Sequence, residues 1–391
     1  MNFGAIELDE DIQQFWAEVR EFFSEHVTTE VLDEERTNGS GFSESLHLAL
    51  GKRGWVTPQW PVSEGGAELD PLRARIVAEE LARSGAPNIL ASTTLLPPIA
   101  IRMFGSAELQ GEILPKVAEG TVRICLGYTE PDCGSDLAAV RTRATPDGAD
   151  WVINGQKMFT TGAQHSQYCF LLARTDPAVS KHKGLTVFLL PLDAHGVQIR
   201  PIDTLGGERT NFVYLDDVRI PDRWRLGDVN AGWSVVAAPL SAEHSMGGGD
   251  HEEVASPYLT QCENLLQAAV QWATTATDAA GRPVRADPSV RETLAEVAVG
   301  IEIARSAPGP MGRITCSDTL IRTASRLLDL VGPTAQLVRG ARGTPGDGEL
   351  EFGFRFAPAT AIYGGSTDIA RNMIAEHVLG LPRSTPRRSN P

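Results

Sequence analysis

Apolar residues at Ile12, Phe15, Trp16, Val19, Phe22, Phe23 and Val27 recur at three- and four-residue intervals. That spacing predicts one stripe of an amphipathic helix beginning at the acidic cluster Asp9, Glu10 and Asp11. The same period predicts helices over 44–52, 72–84 and 108–117, separated by Pro- and Gly-bearing breaks such as 57–66, so residues 1–120 read as an α-domain. The period then changes. Over 121–225 the apolar runs are short and β-rich, at 122–126, 151–153, 168–173, 185–192, 197–202 and 212–215, and they predict a β-domain. Asn154-Gly155 beside such a run predicts a type I′ hairpin. Helical spacing returns in 226–391, most clearly at 265–277, 290–304, 320–331 and 369–379, with breaks at Pro308-Gly309-Pro310 and in the Gly-rich span 340–353. The tail 383–391 reads as disordered. The fold class expected is α+β, in the order α, β, α.

Composition narrows the picture. The 391 residues are 42% hydrophobic and 22% charged, enough to bury a core in each domain, and no run reaches the ~18 apolar residues of a membrane span. The N-terminus MNFGAIELDEDIQQFW brings acidic residues where a signal or transit peptide carries basic and apolar ones, which predicts a cytoplasmic location. With 35 basic against 50 acidic residues the net charge is −15, which disfavours nucleic acid as a partner. The five cysteines form no CxxC pair and read as reduced and structural. No HExxH spacing exists, and His244 and His251 share an acidic, Gly-rich stretch that reads as a loop, so no metal is expected.

Two runs carry candidate chemistry. Tyr128-Thr129-Glu130-Pro131-Asp132-Cys133-Gly134-Ser135-Asp136 follows a predicted strand. Its hydroxyls and glycine offer donors to a polyanionic or carbonyl-rich ligand, and equally it reads as a Pro-Asp turn with an Asx cap. The second run is Asn154-Gly155-Gln156-Lys157-Met158-Phe159-Thr160-Thr161-Gly162-Ala163. In order and spacing the pair resembles the flavin-binding signature of acyl-CoA dehydrogenases, TEPxxGSD followed by NGxKxWITN. The chain's close, Tyr363-Gly364-Gly365-Ser366-Thr367-Asp368-Ile369-Ala370-Arg371-Asn372 leading to Leu379-Gly380-Leu381-Pro382-Arg383, is similar to that family's YEGTSEIQRN…LGLPR. The resemblance therefore spans nearly the whole chain and implies an N-terminal helical domain, a β-barrel-like middle domain and a C-terminal helical bundle, with FAD between the last two.

The resemblance also assigns roles. Thr129 would bond the flavin pyrimidine edge, Gly134 and Ser135 would hold phosphate, and Thr161 would donate to flavin N5. Phe159, where the family usually has Trp, keeps an aromatic wall without the indole N–H. Tyr128, Thr160, Ser366 and Asp368 complete the implied cofactor-contacting set. Dehydrogenating an acyl thioester needs a carboxylate base at the α-carbon, donors to the carbonyl oxygen and a hydride acceptor. At the family's common base position this chain has Gly364, whose backbone N–H could still serve the thioester oxygen. Some members instead carry the base in an earlier LxxER segment, and the counterpart Leu240-Ser241-Ala242-Glu243-His244 places Glu243 there.

Two further departures concern assembly. The family's RxxFG segment, whose Arg reaches a neighbouring subunit's flavin, falls at Thr277-Asp278-Ala279-Ala280-Gly281, and its QxxGG at Asp329-Leu330-Val331-Gly332-Pro333. The resemblance then implies a heteromeric enzyme for bulky CoA esters, steroid side-chain thioesters included, in which a paralogous chain completes the FAD site, as an α₂β₂ tetramer with an electron-transferring flavoprotein as acceptor. A non-catalytic supporting subunit, and an oxidase or monooxygenase on the same fold, stay as alternatives.

Overall fold

A computed structural model describes residues 8–382 except 40, 88–94, 246–256 and 308, with the side chains of 36, 241–245, 257, 309 and 310 also outside the description. The chain forms two compact units, one of residues up to Ser241 without 205–207 and one of 205–207 with Ala242 onward.

The first unit opens with α1 (Glu10–His26), where the Asp9 carboxylate accepts from the Ile12 N–H at 2.8 Å and so satisfies one of the open donors at the helix start. The expected apolar stripe faces inward: Ile12, Val19, Phe22 and Phe23 are buried. Next come α2 (Thr29–Asn38), ended by left-handed Gly39, α3 (Glu44–Lys52), α4 (Pro71–Arg83), α5 (Pro97–Phe104) and α6 (Ala107–Ala118). Leu46 and Leu50 of α3, Trp55, and Ile76 and Val77 of α4 close one core with α1. Of these helices, α2 carries too little periodic apolar sequence for the hydrophobic pattern to show it, and Thr28 capping and tertiary packing decide it instead, while α5 is apolar but spans only eight residues and opens on Pro97-Pro98.

Eight strands follow: β1 (Ile124–Gly127), β2 (Arg143–Asp147), β3 (Asp150–Lys157), β4 (Tyr168–Arg174), β5 (Leu185–Pro191), β6 (Val197–Asp203), β7 (Arg209–Pro221) and β8 (Arg225–Leu226). They pair in the order β6-β7-β3-β2-β4-β5-β8, with β1 parallel to β4. Cys169 to Ala173 of β4 and Leu185 to Leu190 of β5 are buried without interruption, which is why these strands read as continuous apolar runs. Edge strand β6 alternates and stays half exposed.

The hairpin expected at Asn154-Gly155 is not there. Both residues lie inside β3, where the register with β7 shifts between Ile153 and Gly155. A Cβ on Gly155 would stand 2.7 Å from the Cα of Thr142, so the glycine serves a close crossing of backbones, and Asn154 exchanges two 2.9 Å bonds with Asp217 across the bulge. The tight turn lies one step earlier, at Gly148-Ala149 between paired Asp147 and Asp150.

The second unit packs α8 (Pro257–Thr275), α9 (Pro288–Arg305), α10 (Gly309–Val331), α11 (Glu349–Phe356) and α12 (Thr367–Met373) around Leu259, Leu265, Val297, Ile301, Leu320, Leu327 and Leu350. Between the units' residue ranges, α7 (Gly232–Ser245) carries the chain from one to the other. The predicted break at 340–353 is shorter than expected, because α11 is helical from Glu349. Its Gly353 is a contact residue, since a Cβ there would lie 2.5 Å from Leu265 Cδ2 of α8. The tail 383–391 and His251 lie outside the described residues.

Candidate active site

The two sequence runs meet in the first unit. Strand β1 delivers Tyr128 to Ser135 and β3 delivers Met158 to Thr161, and the Met158 N–H donates to the Thr129 carbonyl at 3.0 Å. Beneath this contact lies Lys157, whose side chain is fully shut off from solvent. Its Nζ donates to Glu130 Oε1 at 2.7 Å and to the Tyr128 carbonyl at 3.2 Å. Glu130 in turn accepts from the backbone N–H groups of Arg141 at 2.6 Å and Thr142 at 2.9 Å. Burial alone would raise the Glu130 carboxyl, but Lys157 and these hydrogen bonds hold it below its ordinary value, while burial pulls the Lys157 ammonium down. One ion pair therefore fixes both loops to each other.

Glu130 and Cys133 exchange backbone bonds at 2.9 and 3.1 Å and close the Pro131-Asp132 turn. Gly134 and Ser135 are thereby left exposed, and among the described residues no neighbour lies within 4 Å of where a Gly134 Cβ would be. On the other loop Phe159 takes a left-handed backbone, φ 55°, and turns its ring outward at 54% exposure. A non-glycine residue there costs about 1–2 kcal/mol, so the surroundings must impose it. They do so through Asn211 of β7, whose carbonyl accepts from the Thr160 N–H and whose Nδ2 donates to the Thr160 carbonyl, both at 3.0 Å. The Thr161 hydroxyl lies 3.2 Å from that of Thr210.

Gly364, Ser366 and Asp368 belong to the second unit. Gly364 and Gly365 are both left-handed, φ 63° and 79°, and Ser366 caps α12 by accepting from the Ile369 N–H at 3.3 Å. Asp368 pairs with Arg371, which also reaches Asp318. Glu243 lies on α7, and its side chain is outside the description. Among the described residues, no cluster of His, Cys, Asp and Glu could hold a metal, and no helix is long and apolar enough to cross a membrane.

The N-terminal, middle and C-terminal domains of acyl-CoA dehydrogenase match residues 9–121, 125–218 and 253–379 in turn. The chain belongs to the acyl-CoA dehydrogenase family. Acyl-CoA dehydrogenase IpdE1 of Mycobacterium tuberculosis is 36% identical over 96% of this chain and 99% of its own length. FadE26 of the same organism is 30% identical over 94% and 96%. Among solved structures, the ChsE4-ChsE5 complex from Mycobacterium tuberculosis superposes with a TM-score of 0.84 at 29% identity, covering 97% of this chain and 100% of that one. The Tcur3481-Tcur3483 steroid ACAD gives 0.83 at 26%, over 97% and 100%.

Acyl-CoA dehydrogenases are flavoproteins, and the first unit's residues suit a flavin. The buried Thr160 Oγ1 and Gln164 Nε2 lack a hydrogen-bond partner among the described residues, the Phe159 ring is held out, and no described residue faces Gly134 closely. Lys157, Glu130 and Asn211 are the residues that reading the sequence for chemistry passed over. The first two sit inside the quoted motifs, so the signal was a lysine alone in an otherwise neutral run and a glutamate at a fixed place in the other. Asn211, 50 residues beyond Thr161, carries no local signal.

Proposed function

We propose that this acyl-CoA dehydrogenase oxidises the α–β carbon bond of a bulky CoA thioester of the steroid side-chain kind, on FAD, as one subunit of a heteromer. The observation that carries the reading is the seating of Thr129, Phe159 and Thr161 on two loops locked together through Met158 and Lys157. Likeness along nearly the whole chain to IpdE1 and to a chain of the Tcur3481-Tcur3483 steroid ACAD supports the substrate class. The domain limits that go with it are 1–120, 121–225 and 226–391.

FAD, when bound, supplies a hydride acceptor at N5. The chain's own groups do the rest. Thr129 would bond the pyrimidine edge, Thr161, whose hydroxyl lies 3.2 Å from that of Thr210, would donate toward N5, and the exposed Phe159 would wall the ring. Gly134 and Ser135 offer exposed donors to phosphate; Tyr128 and Thr160 adjoin Thr129 and Thr161 in sequence, and Ser366 and Asp368 follow Gly364 on the second unit. Glu243, as carboxylate, takes the α-proton. The Gly364 N–H donates to the thioester oxygen as it gains enolate character, a stabilisation that counts most where charge develops.

Assembly follows from electrostatics. A buried pyrophosphate needs donors of which at least one is cationic, and Thr277 and Asp329 give no cation, whereas a paralogue with Arg and Gln at those places supplies a cation and a neutral amide donor. Asp278 already serves its own turn, bonded to Arg282 at 2.8 Å. The electron acceptor in this reading is an electron-transferring flavoprotein, and the compartment is the cytoplasm.

The test is anaerobic flavin reduction in the co-purified heteromer with CoA thioesters of graded bulk. Glu243→Gln should keep flavin bound and slow its reduction by more than the roughly 10²–10⁴-fold typical of a general base. Near-normal reduction by that variant would remove Glu243 from the mechanism. The vacancy of a carboxylate at Gly364 favours a second reading, a non-catalytic supporting subunit. Under it, Glu243→Gln leaves the heteromer's rate untouched and the chain's own half-site carries no flavin.

A further inference from the structure

The Tyr363-Gly364-Gly365 turn has two successive left-handed glycines and no side chain at either, so its backbone has more freedom to lose than any other turn composition. A backbone donor on such a turn can be aimed only if something outside fixes it. Arg313, on α10, does the fixing. Its Nη2 donates to the carbonyls of Thr360 at 2.7 Å, Tyr363 at 2.6 Å and Gly365 at 3.1 Å. The guanidinium carbon stands 5.3 Å from the Tyr258 ring centre, and the Thr360 hydroxyl is tied to Ser317 at 2.9 Å.

The planarity of the peptide bond turns this into a direction. In a trans peptide the C=O and the following N–H point to opposite sides of the chain. Drawing the Tyr363 carbonyl onto Arg313 therefore points the Gly364 N–H away from Arg313, and drawing in the Gly365 carbonyl does the same for the Ser366 N–H. A cationic donor makes these bonds stronger than neutral ones. Nη2 has two hydrogens for three carbonyls, which places the third, longest bond in a shared arrangement.

We propose that Arg313 is the positioning residue of the Tyr363–Gly365 turn, holding its carbonyls so that the Gly364 N–H is presented to the acyl thioester. The inference rests on the reading of Gly364 as the thioester donor. It makes no contact between Arg313 and substrate, so it acts on turnover through the turn alone.

The experiment compares the wild-type heteromer with Arg313→Met and Arg313→Lys by amide hydrogen exchange and steady-state kinetics. In Arg313→Met, exchange across 363–366 should rise about tenfold or more while α8 and α9 keep their protection. kcat should fall about 10²-fold, the scale of a lost or misaimed oxyanion donor, and the Lys variant should recover part of both effects. Unchanged exchange at 363–366 overturns the proposal, and so does a loosened turn with unchanged kcat. If Arg313→Met does not fold, Arg313→Lys decides alone, by the same two readouts. A wild-type heteromer that reduces no flavin with any acyl-CoA would instead refute the functional reading, and exchange at 363–366 would still judge the clamp.

Discussion

Replacing Lys157 by Met tests the ion pair that joins the two loops. The Lys157 side chain is fully buried and that of Glu130 is 6% exposed, with 2.7 Å between Nζ and Oε1. Breaking a buried pair from one side strands a charge and typically costs about 3–5 kcal/mol. Here Glu130 keeps two backbone donors, from Arg141 and Thr142, so the loss should lie near the lower end, about 3 kcal/mol. Glu130→Gln should cost more, since it weakens both of those bonds and leaves the Lys157 ammonium with the Tyr128 carbonyl as its remaining full acceptor. The double variant should fall short of the sum by about 2 kcal/mol, the coupling expected of residues in one network. Urea unfolding followed by tryptophan fluorescence measures all three, and flavin absorbance after gel filtration reports whether the Thr129 and Phe159 loops have separated. The pH dependence has a definite sign. Because the folded Glu130 carboxyl titrates below its ordinary value, its contribution is present above that ordinary value and is lost as pH falls through the lower, folded one. Additive single costs below about 1 kcal/mol, with flavin fully retained, would refute the reasoning.

Three other outcomes are expected. Thr161→Val should shift the flavin potential and reduction rate while costing about 1 kcal/mol or less of stability, the net worth of one hydrogen bond; a spectrum and rate equal to wild type would mean Thr161 does not face the ring. Glu208 is pushed up to about 7 by burial and by neighbouring Glu35, so its contribution is full below the unfolded carboxyl value and is lost as pH rises through 7. Glu208→Gln should therefore stabilise by up to about 3 kcal/mol at pH ~8 and by nothing at pH ~4, and equal melting shifts at both would contradict it. Flavin titration of the purified heteromer should give one FAD per heterodimer in an α₂β₂ tetramer, with this chain alone colourless and inactive; an active homotetramer with one FAD per subunit would overturn the assembly.

What the sequence determined by itself was whatever a short window can encode. The three- and four-residue spacing from Ile12 to Phe23, with Asp9 to cap it, specified α1 because helix geometry brings those positions to one face without help from the rest of the chain. The buried apolar runs of β4 and β5 were legible for a similar reason. So were the two loop motifs, whose residue types and spacing survive as a linear pattern. The tertiary structure decided where a local rule met a distant backbone. Asn154-Gly155 has the composition of a hairpin, yet Thr142 presses on Gly155 and Asp217 bonds Asn154, so the dipeptide became a bulge. The polar β2 reads as no strand and is one because β3 pairs with it over five residues. Lys157 looks like a surface residue until Glu130, 27 positions earlier, closes over it. Phe159 turns left-handed because Asn211 holds the next residue, and the glycines at 364 and 365 gain a fixed direction from Arg313, about 50 positions before them. Each of these depends on hydrogen-bond partners that sequence separation hides, because the cost of bringing them together is met by the whole fold and leaves no mark on either segment alone.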